Sequence, residues 1–314
     1  MINNGHIFFM LFAFGGLLMA CTQDVPKKLV SIDNPAEIEM LQKDFFKARL
    51  SPDGKTTLLT GQKDRGLFIY NFDKNEVITL NTDIASGTEV LFSPDGSKVY
   101  YLTHDYSTKK RSSNLVAQDV QSGEKTLLLK GFRKLKLIGG DGSKLLLLQN
   151  GEIRVFNATD GSVVHVNREH KAVFLDDKLN LRVLNQGENK VLNPLGEAQY
   201  LWPSLSPDGK KILFSVSGKG SFTYSFESEE LVELGRLHAP KWSANGSFII
   251  AMDDKDDGQK FTASDIYLLS ANGKERQNLT VNSDKVALYP ELAPDLSKVI
   301  FNDENGTVYE MKIN

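Results

Sequence analysis

The chain has 314 residues, of which 40% are hydrophobic and 25% are charged, and its formal net charge is −3. A charge balance this close to neutral gives no basis for nucleic-acid binding, which requires clustered positive charge. The single cysteine excludes an internal disulfide, so stability has to come from a hydrophobic core, and a chain of this length is able to bury a large one.

The N-terminus has the pattern of an export signal. The first twenty residues contain no Lys, Arg, Asp or Glu, and residues 7–20 are apolar apart from two glycines. An apolar run of this length is too short for a stable membrane-spanning helix and is typical of a signal peptide. Signal peptides usually begin with Lys or Arg, which are missing here, so an uncleaved apolar anchor and a misplaced start codon stay open as alternatives.

The apolar run ends in Leu18-Met19-Ala20-Cys21, and polar residues follow from Thr22. This ending resembles the lipobox of bacterial lipoproteins. The resemblance implies that residues 1–20 are a signal peptide, that Cys21 is lipidated and that residues 21–27 form the lipid-bearing tether. In that family an Asp after the cysteine retains the protein in the inner membrane of enterobacteria, so Thr22 favours the outer membrane. The choice between the periplasm and the cell surface stays open.

The first element predicted after the tether is a strand, Lys28-Leu29-Val30-Ser31-Ile32. The stretch from Pro35 to Phe46 is the only one that favours a helix. The remaining predicted elements are short strands separated by turns.

From Ser51 onward a four-residue turn recurs. Ser-Pro-Asp-Gly occurs three times and four looser copies complete the series, one of them badly eroded. Pro presets φ, Asp accepts a local backbone hydrogen bond and Gly takes the positive φ, so each copy predicts a hairpin turn. The Asp or Asn of each copy stands at position 53, 95, 141, about 177, 208, 245 or 295, a mean spacing of about 40 residues.

Runs rich in β-branched and aromatic residues follow each turn. With a short strand before the turn, they give four strands, A to D, per unit. The runs are Val99 to Leu102, Ile212 to Phe214, Phe248 to Ile250 and Val299 to Phe301, then Leu67 to Tyr70, Ile153 to Phe156, Ile266 to Leu269 and Val308 to Met311, then Val77 to Leu80, Thr126 to Leu129 and Leu231 to Leu234.

The last unit ends after Met311 without a fourth strand, whereas the strand at residues 28–32 has no unit of its own. Pairing the two would close a ring and remove an exposed sheet edge. The sequence therefore predicts an all-β protein, with residues 28–314 forming a single β-propeller of four-stranded blades. Seven blades are expected, with six as the alternative because two copies of the turn are degraded.

The pattern from Leu205 to Phe214, repeated around Phe92 and Trp242, resembles the WD40-like repeat of TolB-type propellers. The resemblance covers most of the chain and implies the propeller fold. TolB proteins also carry an α/β domain before the propeller, for which this sequence has no room, so their role is not implied.

Motifs of common catalytic sites are missing from the sequence. Gly54-Lys55-Thr56 ends like a P-loop, but Arg49 stands where the first glycine belongs. No Gly-x-Ser-x-Gly elbow provides a hydrolase nucleophile, and Cys21 is the only cysteine. We therefore expect no catalytic residue, no metal and no cofactor.

Two metal sites stay open as alternatives. Some pectin-degrading lyases are propellers that bind metal through histidines, and four histidines are spread over the predicted blades. Calcium is the second, in an aspartate-rich loop that ends at Gly258; an EF-hand is excluded because Lys255 and Ser264 stand at ligand positions. The residues concerned are His104, His165, His170 and His238 for the first site, and Asp253, Asp254, Asp256 and Asp257 for the second.

A binding surface is expected on one face of the ring. Residues 103–114 and 253–265 are long insertions that join strand B to strand C, so both should rise from the face where the A strands begin. Loops on a rigid scaffold carry many binding residues, and aromatic side chains at a channel mouth can stack on a sugar or a peptide side chain. The predicted binding residues are Arg49, Tyr106, Lys109, Lys110, Arg111, Tyr200, Trp202, His238, Lys241, Asp253, Asp256, Asp257, Phe261, Tyr289 and Glu291.

These expectations favour a non-catalytic, lipid-anchored module that binds a protein or glycan partner at the cell envelope, as a monomer or within an envelope complex. Its contact with the membrane would be through the lipid alone, and no nucleic acid is expected as a partner. One alternative is a polysaccharide lyase or glycosidase with a metal or carboxylate site at the channel mouth. The other is a structural accessory of an envelope complex.

Overall fold

The computed structural model describes residues 29–30, 37–107 and 110–313. Within these residues twenty-seven β-strands form seven separate antiparallel sheets, and the only helix is a 3-10 turn, Gln62–Asp64. The sheets follow one another along the chain as the blades of a seven-bladed β-propeller, which confirms the all-β class and the blade number predicted from the sequence. The predicted signal peptide and tether, with Cys21, lie outside the described residues. No described helix is long and apolar enough to cross a membrane.

Six blades have four strands and blade IV has three. Blade I consists of β2 (Lys47–Leu50), β3 (Thr56–Thr60), β4 (Leu67–Asn71) and β5 (Glu76–Asn81). Blade II consists of β6 (Val90–Phe92), β7 (Lys98–Asp105), β8 (Ser112–Asp119) and β9 (Lys125–Phe132). Blade III consists of β10 (Leu135–Gly140), β11 (Lys144–Gln149), β12 (Glu152–Asn157) and β13 (Val163–Val164), and blade IV of β14 (Ala172–Leu175), β15 (Leu181–Asn185) and β16 (Glu188–Val191).

Blade V consists of β17 (Tyr200–Leu205), β18 (Lys211–Val216), β19 (Gly220–Ser225) and β20 (Leu231–Gly235). Blade VI consists of β21 (His238–Trp242), β22 (Phe248–Asp256), β23 (Phe261–Ser270) and β24 (Arg276–Asn278). Blade VII joins β25 (Leu288–Leu292), β26 (Lys298–Asn302) and β27 (Val308–Lys312) to β1 (Ile38–Gln42) from the N-terminal part of the chain.

The hydrophobic core lies between the blades. One cluster of buried apolar side chains fills each of the seven spaces between neighbouring blades. The bulkiest fully buried residues, such as Tyr101, Phe214 and Phe301, belong to these clusters. Burial of about 25 cal/mol per Å² of apolar surface, repeated at every interface, holds the blades together as a ring.

The ring closes as predicted, but the segment that closes it was predicted wrongly. The fourth strand of blade VII is β1, which pairs with β27 in antiparallel register, Ile38 opposite Met311. The helix expected at residues 35–46 is therefore wrong for its described part. A β-bulge between Met40 and Gln42 explains the error: it lets both Ile38 and Leu41 pack on core clusters, and this spacing of three residues imitates a helical period.

Leu29 and Val30, from the strand expected at residues 28–32, lie against the outer edge of blade VI. The side chain of Gln277, in β24, accepts the backbone N–H groups of Leu29 and Val30 at 2.8 and 3.1 Å and donates to the Val30 carbonyl at 3.1 Å. Both residues also pack on the cluster between blades VI and VII. One glutamine thus holds the start of the domain beside the seam of the ring.

The recurring turn has the predicted chemistry. In the first copy Asp53 accepts hydrogen bonds from the Ser51 hydroxyl at 2.6 Å and the Lys55 N–H at 3.1 Å, and Gly54 has φ +71°. The copies at Asp95 and Asp208 form the same bonds. We call the side of the ring that carries these A–B turns the turn face, and the opposite side, which carries the B–C connections, the arm face.

Neighbouring turns touch one another around the turn face. The proline of one turn lies against the glycine of the next: Pro94 Cδ is only 2.6 Å from the position that a Cβ at Gly142 would take. Pro294 and Gly54 repeat the arrangement at 3.3 Å. The turn thus needs glycine for two reasons, its positive φ and the close approach of the neighbouring proline.

Blade IV is inverted relative to the other blades. Its turn at Asp176 was expected on the turn face, but Asp177 lies 3.5 Å from Lys136, near the arm-face end of β10, and the Leu179 carbonyl accepts the Tyr200 N–H at 3.3 Å. At the other end of β14, Lys171 donates to the Gly209 carbonyl on the turn face at 3.3 Å.

The inner strand of blade IV therefore runs from the turn face to the arm face, opposite to the inner strands of the other six blades. Three strands, an odd number, return the chain to the arm face in time to start β17. The registration of the repeat was wrong at this one blade because an aspartate turn has the same sequence on either face.

The two insertions predicted as loops are extended β-hairpins. The β7–β8 ladder continues to the pair Asp105–Ser112, and the β22–β23 ladder continues to the pair Asp256–Phe261. We call these hairpins the arms of blades II and VI. Both rise from the arm face, as expected from their B–C position.

Candidate binding site

The inner strands of the ring surround a central cavity of about 660 Å³. Strands β2, β17, β21 and β25 line it, together with residues at the start of blade II. The cavity extends from Thr60 and Thr88, near the arm face, to Leu205 and Trp242, near the turn face. It is large enough for a side chain or a short oligomer, which makes it the first candidate for a binding site.

Three neighbouring inner strands carry the same irregularity at this cavity. Trp202, Ala239 and Tyr289 have φ of +47°, +46° and +53°, each precedes a proline, and each lies at a β-bulge of its blade. Positive φ is unfavourable for L-residues, and bulky ones in particular. Strained backbone of this kind clusters at ligand-binding sites, and here it places an exposed indole, Trp202, on the cavity wall.

Beside Trp202 a histidine is paired with a buried carboxylate. His238 Nδ1 lies 2.7 Å from Asp254 Oδ1, and the Asp254 side chain is 6% exposed. The indole of Trp202 lies beside His238 at a tilt of 51°, with ring centres 6.0 Å apart. The hydrogen bond to Asp254 raises the pKa of His238 above its ordinary value, burial opposes the rise, and the charge of Asp254 adds to it. His238 is therefore biased towards its cationic form.

The remaining polar side chains of the cavity offer more donors than free acceptors. Lys241 Nζ lies 2.5 Å from Glu291 Oε1, so these charges satisfy one another. Arg49 donates to the Val90 carbonyl, and within the described residues it has no carboxylate partner. The indole N–H of Trp242 is buried and finds no acceptor in the described part of the chain. A ligand rich in acceptors, above all a carboxylate, fits this set of donors.

Six of the predicted binding residues lie together at the cavity. Tyr200, which was predicted beside them, lies elsewhere. Tyr200 was expected at the channel mouth, but it is fully buried: its hydroxyl accepts the Leu195 N–H at 3.0 Å and donates to the Gly196 carbonyl at 3.1 Å. It is a packing residue of blade V because its side chain points between blades. The six that line the cavity or its rim are Arg49, Trp202, His238, Lys241, Tyr289 and Glu291.

The arm of blade II holds the basic residues. Lys109 lies outside the described residues, and Lys110 has interactions of its own. Tyr106 is exposed and its ring centre lies 6.3 Å from that of His104. The positive charge of Arg111 acts on His104, whose pKa is lowered mainly by burial. None of the described residues of this arm lines the cavity that holds Trp202.

The aspartates of the blade VI arm are engaged inside their own blade. Asp253 pairs with Arg276 at 3.4 Å, and Asp256 and Asp257 accept N–H groups of their own turn. Phe261 packs edge-on against Tyr289, with ring centres 6.3 Å apart. Opposite charges on the two arms were expected to meet or to form one polar surface. The pairs of Asp253 and Asp254 lie within blade VI instead.

The same geometry bears on the metal sites left open by the sequence. In the described residues, no group of three or more His, Cys, Asp or Glu side chains is placed to hold a metal ion. His104 lies in blade II, His238 in blade VI and His170 ahead of blade IV, where its Nδ1 accepts the Asn167 N–H at 3.0 Å.

Two carboxylates near the arm face escaped the sequence analysis as members of a site. Asp254 was interpreted only as part of an aspartate-rich loop. This segment is instead an extended hairpin, in which successive side chains point to opposite faces of the sheet, and the side chain of Asp254 points towards His238. Glu89 accepts the Leu137 N–H at 2.6 Å, and burial raises its pKa above the ordinary value. No local motif marks either residue, because their partners come from other strands.

No family model and no curated protein matches the sequence. Solved structures match the fold. An oligogalacturonate lyase from Vibrio parahaemolyticus has a TM-score of 0.65 and 14% identity, over 90% of this chain and 96% of that one. An oligogalacturonate lyase in complex with manganese has 0.65 and 12%, over 91% and 96%, and a chain of the mitotic checkpoint complex has 0.66 and 13%, over 99% of each. At identities this low the likeness shows the propeller fold alone.

Proposed function

We infer that this protein is a non-catalytic binding module of the bacterial cell envelope, anchored by lipid on Cys21, that captures a carboxylate-bearing protein or glycan at the central cavity. The observation that carries this inference is the exposed indole of Trp202, fixed by a strained bulge, in a cavity with a histidine biased towards its cation and with Arg49, which has no carboxylate partner among the described residues. Rigid aromatic and cationic groups in a cavity are typical of recognition sites. The lipobox-like sequence supports an envelope location.

The chain provides its own reporter of binding. Its two tryptophans, Trp202 and Trp242, both line the cavity, so tryptophan fluorescence measures occupancy directly. Suitable probes are two matched pairs: an acetylated peptide with glutamates and its glutamine counterpart, and oligogalacturonate and its methyl ester. We expect the acidic member of at least one pair to change the fluorescence and the neutral member to bind about tenfold more weakly or less.

Arg49→Gln should weaken binding of the acidic probe about tenfold. The matched control is Lys125→Gln, which removes an exposed charge from β9, on the outer edge of blade II. Equal responses to acidic and neutral probes, or equal losses in both variants, would refute a carboxylate site.

The lipid anchor has its own test. Mass spectrometry of the native protein should find acyl chains on Cys21, and an unmodified cysteine would contradict the anchor.

A second candidate is an enzyme acting on an acidic polysaccharide. The likeness of fold to oligogalacturonate lyases favours it, as does the His238–Asp254 pair at the rim of a cavity that Arg49 and Lys241 line. A lyase forms an unsaturated product that absorbs ultraviolet light. Turnover of oligogalacturonate, with or without added manganese, that is lost in His238→Gln would replace the binding module by this second function.

A further inference from the structure

An aromatic groove opens beside the central cavity. It has a volume of about 490 Å³ and lies between the arm of blade VI and the β26–β27 turn of blade VII. Its apolar wall contains Phe46, Phe261, Leu288 and Tyr289. Leu288 is buried, whereas the three aromatic rings are partly exposed. Tyr289 also lines the central cavity, so the groove and the cavity meet at this ring.

The rim of the groove is acidic. Asp256 contributes from the blade VI arm, and Asp303 and Glu304 from the blade VII turn, against the single positive charge of Lys260. Lys260 forms no ion pair with them in the described structure. Asp303 is held in place by the N–H groups of Asn305 and Thr307, at 2.9 and 2.7 Å. Asp256 and Glu304 are exposed and make only local hydrogen bonds, so their charges face solvent.

An aromatic wall under an acidic rim fits one kind of occupant, a lysine or arginine side chain. The aliphatic stem of such a side chain packs on aromatic rings while its charged head reaches a carboxylate. The neighbouring cavity has the opposite character, because Arg49 has no carboxylate partner among the described residues and His238 at its rim is biased towards the cation. A ligand that fills both spaces therefore carries a carboxylate and a cation separated by the width of one tyrosine ring.

We propose that the partner is a protein segment that places an acidic side chain in the central cavity and a lysine or arginine side chain in the groove between blades VI and VII. This proposal rests on the carboxylate site proposed above and specifies its ligand. A polymer of uronic acids supplies carboxylates without cations. It therefore offers no positive charge to the acidic rim of the groove, and its carboxylates are repelled by that rim. A peptide with both charges complements both halves.

The test uses acetylated and amidated peptides in which a glutamate and a lysine are separated by glycine spacers of increasing length. In a matched series norleucine replaces lysine, which keeps the aliphatic stem and removes the charge. With tryptophan fluorescence as the readout, one spacer length should bind best, and its norleucine counterpart about tenfold more weakly. Raising the salt concentration should narrow this difference.

The double variant Asp256→Asn, Glu304→Gln leaves only Asp303 on the rim, so it should bind the lysine and norleucine peptides with a clearly smaller difference than the wild type, while its response to a peptide with glutamate alone stays that of the wild type. This last measurement separates the two proposals, since it depends on the cavity and not on the groove. Equal binding of the lysine and norleucine peptides by the wild type would overturn the groove proposal alone. So would tighter binding of oligogalacturonate than of every peptide. If no acidic probe changes the tryptophan fluorescence, the carboxylate site is overturned as well.

Discussion

The pair formed by His238 and Asp254 shows how one hydrogen bond sets the charge of the cavity. Asp254 and the neighbouring Asp253 and Asp256 lie on β22 and favour the imidazolium, and the indole of Trp202 on β17 lies beside the imidazole ring. Because the folded-state pKa is raised above 6.5, the stabilisation from this pair is fully present below pH 6.5 and is lost as the pH rises through the folded-state value.

We therefore predict that the free energy of unfolding falls as the pH rises through the window just above 6.5, and that His238→Gln removes this part of the pH dependence. Urea unfolding at a series of pH values measures it. A wild-type profile that is flat in this window, or a variant that keeps the full slope, would show that folding does not raise the pKa of His238.

Glu89 gives a second prediction at this scale. Burial raises its pKa above 4.5, and the Leu137 N–H, Lys136 and Arg111 only partly offset the effect. A raised carboxyl pKa makes the ionised form unfavourable in the fold, so Glu89→Gln should raise the free energy of unfolding at neutral pH. The gain should disappear below about pH 4.5, where Glu89 is protonated in both states. A variant less stable than the wild type at pH 7 would mean that the carboxylate is required as an ion.

The sequence predicts the cavity residues only as well as it predicts strand register. Arg49, Trp202 and Tyr289 line the cavity, and each lies on an inner strand that ends in a recognisable turn. Asp254 was not predicted as part of the site, since its role depends on a hairpin whose length the sequence does not reveal. Tyr200 was misassigned because the β17 bulge begins only after it and leaves its ring between blades.

Among the elements, the recurring turn is the one whose chemistry is most complete in the sequence. Gly142 and Gly151 have nearly equal φ, +88° and +85°, but only Gly142 meets a neighbour, Pro94 of the preceding blade. Alanine at either position carries the cost of left-handed backbone, about 1 kcal/mol. Gly142→Ala should cost a further 1 to 3 kcal/mol, roughly, because a Cβ there forces the two turns apart.

Denaturant unfolding of the two variants measures this difference, with Gly151→Ala as the matched control. Similar losses for both would show that contact between neighbouring turns does not hold the blades together.

Two elements could not be predicted from the sequence, for different physical reasons. The closing strand β1 was predicted as a helix because its β-bulge gives the apolar residues a helix-like spacing. The inversion of blade IV was missed because its aspartate turn is chemically the same on either face. Only contacts between residues distant in sequence, such as Lys136 with Asp177, show the direction of its inner strand.

For the whole molecule, closure of the ring is the decisive feature. Glu39 and Glu310 are directly opposite one another in the β1–β27 pair, and residues so paired are about 4.5 to 5.5 Å apart, within reach of a disulfide. In a Cys21→Ser background, Glu39→Cys with Glu310→Cys should form this disulfide and stabilise the oxidised protein by about 2 to 4 kcal/mol over its reduced form. Failure to oxidise would contradict closure by residues 38–42.

The seven-bladed architecture itself was predictable, because a repeat of about 40 residues and an unfinished last unit leave few other solutions. The predicted number of blades is right although blade IV has three strands, because its inverted inner strand still occupies one of the seven places in the ring.

The inversion of blade IV has a practical consequence for handling the protein. The tight β15–β16 hairpin, with Gln186 and Gly187 at its tip, emerges beside Arg168 on the turn face, whereas the corresponding hairpins of the other blades emerge on the arm face. An affinity tag or a dye inserted at this tip would project from the turn face. Sensor chips or beads coated through that single position would present every molecule with its arm face, which carries the groove between blades VI and VII, towards the solution.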